Sequence, residues 1–128
     1  MKKMVISKEF FNKLINEKVE DNKQFQIEYY FSTGELRNLH FKTDGYFTSF
    51  YETHEGITRI EREKDLETGE YKIVNTKTIE HAIFHPNSLR TIEQILEDLC
   101  NEYACIDKKE VDDILTYGAT VYYTFLKK

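Results

Sequence analysis

The chain has 128 residues, the usual size of one domain, and we expect a single domain over residues 1–128. Its 40% apolar and 14% aromatic residues can build a core without disulfides, and two cysteines do not make a disulfide scaffold. The net charge of −5 argues against nucleic-acid binding, and no apolar run approaches the roughly 20 residues of a membrane-spanning helix. We therefore expect no direct nucleic-acid partner, no membrane, and a reducing cytoplasmic location in a bacterial host.

The first predicted element is a helix. Ser7 is a suitable N-cap, and Asn22 with its polar neighbours ends the segment. Five apolar residues in between fall on one helical face: Phe10, Phe11, Leu14, Ile15 and Val19.

A strand rhythm follows the helix. Residues 25–31 alternate between apolar and polar side chains, which is typical of a strand with one buried face. Four pairs that end in glycine then punctuate the chain: Thr33-Gly34, Asp44-Gly45, Glu55-Gly56 and Thr68-Gly69. Glycine supplies the positive φ of tight hairpin turns, and the segments 36–43, 46–53, 57–63 and 71–78 are aromatic and β-branched. The pattern predicts an antiparallel meander of five strands.

The C-terminal third reads mainly as helical. Residues 79–84 fit a sixth strand or a helical turn, and Asn87 or Ser88 caps a helix that ends near Tyr103. Asp107 and Glu110 have the spacing of a capping box for a shorter helix, with Val111, Ile114 and Leu115 inward and Gly118 as its stop. Residues 120–126 look like a last strand. The expected class is α+β: an N-terminal helix, an antiparallel β-meander of about five strands, C-terminal helices and a final strand.

Two short-spaced pairs suggest a metal site: His81 with His85, and Cys100 with Cys105. Tetrahedral zinc takes four nitrogen or sulfur ligands, often supplied as two such pairs, so we expect one structural zinc. The intervening helix, about 18 Å long at 1.5 Å per residue, separates His85 from Cys100. Other residues that could complete the set are His40, His54, Glu97 and Asp107. The alternatives are two buried thiols with two unrelated histidines, or a Cys100–Cys105 disulfide.

Two surface features are candidates for contact with a partner. Charged residues cluster near the turn at Thr68-Gly69, as an exposed turn or a contact patch: Arg59, Glu61, Arg62, Glu63, Lys64, Asp65 and Glu67. Adjacent aromatic residues place rings on both faces of the sheet: Tyr29-Tyr30-Phe31, Phe50-Tyr51 and Tyr122-Tyr123. One face must cover the helices, and the other is a second core or a binding patch.

No catalytic signature accompanies these features. Neither cysteine has a recognised nucleophile motif around it, and the many carboxylates read as solvated helix faces. We therefore expect no catalytic or cofactor-binding residues.

The profile of a small acidic chain with His81, His85, Cys100 and Cys105 resembles phage anti-CRISPR proteins, in particular small type II-A inhibitors of the zinc-binding kind. The resemblance implies a non-enzymatic inhibitor that binds a type II CRISPR effector nuclease and blocks guide or target-DNA loading. An immunity protein or antitoxin that neutralises a bacterial toxin enzyme is the alternative. A small-molecule-binding or hydrolytic domain that uses the mouth of a curled meander is a further alternative.

Overall fold

The computed structural model describes residues 6–79, 84 and 87–128. Within these residues the elements are, in chain order, α1 (Lys8–Lys18), β1 (Gln24–Ser32), β2 (Glu35–Thr43), β3 (Tyr46–Thr53), β4 (Gly56–Lys64), β5 (Tyr71–Ile79), α2 (Ser88–Glu102), β6 (Ala104–Asp113) and β7 (Gly118–Leu126). The strands form one antiparallel sheet in the order β5-β4-β3-β2-β1-β7-β6. The predicted α+β class is confirmed.

Helix α1 begins where its sequence predicts. The Ser7 side chain accepts a hydrogen bond from the Phe10 backbone N–H at 3.3 Å, which satisfies one of the free donors of the first turn. The helix ends at Lys18, one turn before Asn22, and buries Phe11, Leu14 and Ile15.

Strands β1 to β5 are consecutive neighbours, joined by turns in which Gly34, Gly45, Gly56 and Gly69 all have positive φ. The predicted count of about five strands is nevertheless too low, because the residues that the structure describes form a sheet of seven strands. Strand β7 returns to pair with β1 from Gln24↔Leu126 to Ser32↔Gly118, so the tail is a strand as predicted. Strand β6 then adds to the outer side of β7.

The predicted short helix at 107–115 is also wrong, because those residues form most of β6 and the turn after it. An edge strand has few neighbours to bury its side chains, so β6 carries charge on both faces and lacks the apolar alternation that marks a strand. Val111, Ile114 and Leu115 only coincidentally have helical spacing, since they are 44%, 85% and 91% exposed.

Both helices pack on one face of the sheet. The Phe10 ring of α1 contacts Phe50 with centroids 6.1 Å apart, and Tyr103 at the end of α2 contacts Phe25 at 5.6 Å. The inner side of α2 is buried: Ile92, Ile95, Leu96 and Leu99. Neither helix has the length and hydrophobicity to cross a membrane.

The opposite face of the sheet, which neither helix contacts, is called the uncovered face below. Strand alternation and register assign to it Glu28, Tyr30, His40, Lys42, Phe47, Ser49, Tyr51, Arg62, Tyr71 and Tyr122.

Candidate partner-binding surface

A chain of polar contacts crosses four strands at the centre of the uncovered face. The pairing register sets Glu28 beside His40 and His40 beside Ser49. The Ser49 Oγ lies 2.8 Å from His40 Nδ1, and the Arg62 Nη1 donates to the same Oγ at 3.5 Å. His40 Nε2 is 4.0 Å from Glu28 Oε1. One proton arrangement fits all three contacts: Arg62 donates to Ser49, the Ser49 hydroxyl donates to Nδ1, and Nε2–H faces Glu28.

Burial keeps the side chain of His40 neutral. It lowers the pKa of His40 to about 4, and the positive charge of Arg62 acts in the same direction. Burial also raises the pKa of Glu28, against the opposing effect of Lys42. The centre of the uncovered face is therefore a neutral imidazole held by its hydrogen bond with Ser49.

Aromatic rings and two cations surround this centre. The rings of Phe47 and Tyr51 lie 5.5 Å and 5.3 Å from the His40 ring. Lys42 Nζ sits 5.8 Å from the Phe47 centroid, and the Arg62 guanidinium sits 5.5 Å from it. Cation–π attraction holds both charges over the same ring.

These two cations are available to an external anion. In the part of the chain that the structure describes, neither Lys42 nor Arg62 forms an ion pair with a carboxylate. Lys42 also lies between two surface cavities of about 120 Å³ and about 320 Å³, which share Gln26 and Lys42 as lining residues. The charge is thus placed in a surface depression flanked by rings.

The Ser49–His40–Glu28 line has the residue types of a hydrolytic triad, but its hydroxyl is inaccessible. Ser49 is 0% exposed, so a substrate carbonyl cannot reach its Oγ. The line is suited to fixing side chains on the face and not to nucleophilic attack.

The structure brings the two predicted cysteine ligands together. Cys100, in the last turn of α2, and Cys105, in β6, are both half-buried against the core, and the Cys100 S–H donates to the Cys105 sulfur. Burial, followed by this contact, raises the pKa of the Cys100 thiol to about 11. His81 and His85 lie outside the described residues. Among the residues described, no three His, Cys, Asp or Glu side chains form a metal-binding group, and the zinc stays a prediction.

The other proposed ligands divide into two groups. His40 lies on the uncovered face, and His54 lies in the turn between β3 and β4. The charge of Glu97 is close enough to raise the pKa of the Cys100 thiol. The Cys105 Sγ lies 3.6 Å from the Asp107 carbonyl oxygen. Of the four, Glu97 and the backbone of Asp107 are near the thiols.

The predicted charge cluster does not form one patch. The Arg59 guanidinium is on the helix side, 5.2 Å from the Phe10 centroid, and it pairs with Glu61 at 2.9 Å. Arg62, three residues further along β4, is on the uncovered face, where it pairs with Phe47. Strand alternation also separates Tyr29, which is buried, from Tyr30, and Tyr123 from the 39% exposed Tyr122.

The sequence interpretation did not single out Lys42, Phe47 or Ser49. Their positions on alternate residues of β2 and β3 were a usable signal for a shared face, but their pairing depends on a register that composition alone does not give. Comparisons with protein-family models, curated proteins and solved structures find no match to this chain.

Proposed function

We propose that this chain is a non-enzymatic interaction protein that binds and occludes a protein partner through its uncovered face. The observation that carries the proposal is the placement of Lys42 and Arg62 over the Phe47 ring, where neither forms an ion pair within the described residues. Arg and aromatic side chains, Phe included, are enriched at protein–protein interfaces. Two fixed cations on an otherwise acidic chain fit an acidic patch of a partner.

The sequence resemblance supplies the partner class, a type II CRISPR effector nuclease. Occlusion requires only a complementary surface, and the inaccessible Ser49 hydroxyl speaks for binding over hydrolysis. The net charge of −5 favours a protein partner over a nucleic-acid backbone, because nucleic-acid binding depends on the neutralisation of many phosphates. A structural zinc at Cys100 and Cys105 would stiffen the junction of α2 with β6 and would not touch the partner.

The test measures binding of the purified chain to a purified type II effector loaded with guide RNA, together with target-DNA cleavage. The variant Lys42→Gln with Arg62→Gln removes both cations. The matched control, Lys13→Gln with Arg90→Gln, removes two exposed cations from the helices. We expect the first variant to weaken binding by about tenfold or more, because each charge contact at an interface contributes roughly 1 kcal/mol or more. We expect the control to bind like the wild type.

Two results would contradict the proposal in different ways. Uninhibited cleavage with no binding by the wild type rejects the nuclease as partner. Equal binding by both variants rejects the uncovered face as the contact surface. The immunity-protein alternative predicts the same variant pattern against a toxin enzyme encoded beside the gene, so the same two variants test it.

A further inference from the structure

Three of the four side chains in the turn between β6 and β7, residues 114–117, are apolar and exposed. Ile114 is 85% exposed, Leu115 91% and Tyr117 83%. Single exposed apolar residues are common on protein surfaces, but three neighbours with this exposure form a patch that usually has a binding role.

Hydrogen bonds hold this 114–117 turn firmly against the end of β1. The Tyr30 hydroxyl donates to Thr116 Oγ1 at 2.5 Å, and the Ser32 hydroxyl donates to the Thr116 carbonyl oxygen at 2.5 Å. The Thr33 N–H donates to the Tyr117 carbonyl oxygen at 3.2 Å. The turn is therefore fixed from one side while its apolar side chains point away from the fold.

The backbone of the turn adopts a conformation that is costly for its residue types. Tyr117 has φ +50°, in the left-handed region that non-glycine residues rarely occupy. The next residue must be Gly118, since a Cβ there would collide with the carbonyl oxygen of Phe31. Strain that persists at an exposed site and buries no apolar surface is a mark of function.

Charge around the turn indicates the kind of surface that it meets. Asp112 and Asp113 precede the apolar residues, and Asp113 Oδ1 accepts a hydrogen bond from the Leu115 N–H at 3.2 Å. The tip is therefore apolar at its end and acidic at its base.

We propose that the 114–117 turn is a preformed anchor that inserts Ile114, Leu115 and Tyr117 into an apolar pocket of the partner protein, with basic groups on the rim of that pocket facing Asp112 and Asp113. This anchor depends on the proposed function in one respect, which is that the chain binds a protein partner. Preorganisation makes such a contact effective, because little conformational entropy is lost when the side chains bind.

A protein pocket fits the turn better than the other surfaces that it could meet. A membrane surface rich in anionic lipid would repel the two carboxylates, and three side chains make a small insertion. A second copy of the chain also carries a net charge of −5, which opposes self-association.

The first experiment compares Ile114→Ser with Leu115→Ser against a single control, Leu66→Ser. Leu66 is 95% exposed in the turn between β4 and β5, so it matches the anchor in exposure and not in position. We expect the double variant to bind the guide-loaded effector about 30-fold more weakly or worse, as truncation of hot-spot side chains does. The control should bind normally, and both proteins should melt like the wild type because the changed side chains are exposed. Undiminished binding by the double variant overturns the anchor while leaving the proposed function intact.

A second experiment decides the case in which the wild type does not bind the effector. A photo-crosslinking amino acid is placed at position 115 or at position 66 in bacterial cells that carry a type II CRISPR system. The anchor is supported if a protein captured from position 115 alone binds the purified chain and loses that binding with the double variant. No capture from position 115 above that from position 66 overturns it. Two other results would also overturn the anchor: the wild type floats with phosphatidylglycerol vesicles, or it forms a dimer in light scattering, and in either case the double variant does not.

Discussion

The neutral state of His40 makes a specific prediction about stability and pH. Its pKa falls from the ordinary 6.5 to about 4 in the folded chain, so the unfolded chain takes up the proton first as the pH is lowered. The contribution of His40 to the free energy of unfolding is therefore fully present above pH 6.5, and it is lost progressively between pH 6.5 and about 4. The loss is about 2 kcal/mol between pH 7.5 and 5, and about 3 kcal/mol once both states are protonated.

The perturbation that isolates this effect is His40→Gln, which removes the titrating group and keeps a polar side chain beside Ser49. Urea denaturation followed by circular dichroism at pH 7.5 and pH 5 gives the free energy of unfolding for each protein. We expect the wild type to lose about 2 kcal/mol more than the variant over this range. The raised pKa of Glu28 acts with the opposite sign, since protonation of that carboxyl favours the folded state as the pH falls. Repeating both measurements in a Glu28→Gln background removes that contribution. Equal pH dependence with and without His40 in that background would refute the buried, neutral histidine.

Three further predictions concern the fold and the metal. Ser7→Ala should lower the free energy of unfolding by about 1 kcal/mol in urea denaturation, because the N-cap bond to α1 is lost; no change would exclude the cap as a stabilising contact. Gly118→Ala should cost more than about 2 kcal/mol in the same assay, and more than Gly34→Ala, where a Cβ meets open space but φ is positive; the reverse order would contradict the close approach to β1. Cys100→Ser with Cys105→Ser should remove stoichiometric zinc and lower the melting temperature, measured on protein purified without chelator. Wild-type protein without zinc, or a double variant that melts like the wild type, would rule out the structural metal.

The parts of the fold that the sequence predicts are those with local signals. The Ser7 cap and the apolar face behind it define the start of α1 within a few residues. The Gly34 and Gly45 turns mark the ends of strands whose side chains alternate, so β1 to β5 are readable without tertiary information. Strand β6 is different because its neighbour β7 covers only one of its edges. Its charged residues carry no periodic signal, and the spacing of Asp107 and Glu110 matched a helix cap.

The candidate surface was predictable only in outline. Aromatic pairs such as Phe50-Tyr51 indicate that one ring of each pair faces away from the helices. The contacts among His40, Ser49 and Arg62 depend on which residues the pairing register sets side by side, over separations of 9 and 13 residues. The proximity of the two cysteines is easier to predict from the sequence, since Cys100 and Cys105 are five positions apart on either side of a helix end.

The error at residues 107–115 is itself informative about function. Ile114 and Leu115 were expected to be inward because apolar residues usually lie where the fold buries them. The structure instead holds them outward, on a turn fixed by Tyr30, Ser32 and Thr33, so their apolar surface contributes nothing to the core. Polar residues at these positions would satisfy the same backbone geometry and improve solubility. Isoleucine and leucine at these positions are explained if another protein buries their side chains on binding. Residues that break a local rule of folding are often functional, and here they are the residues of the 114–117 turn.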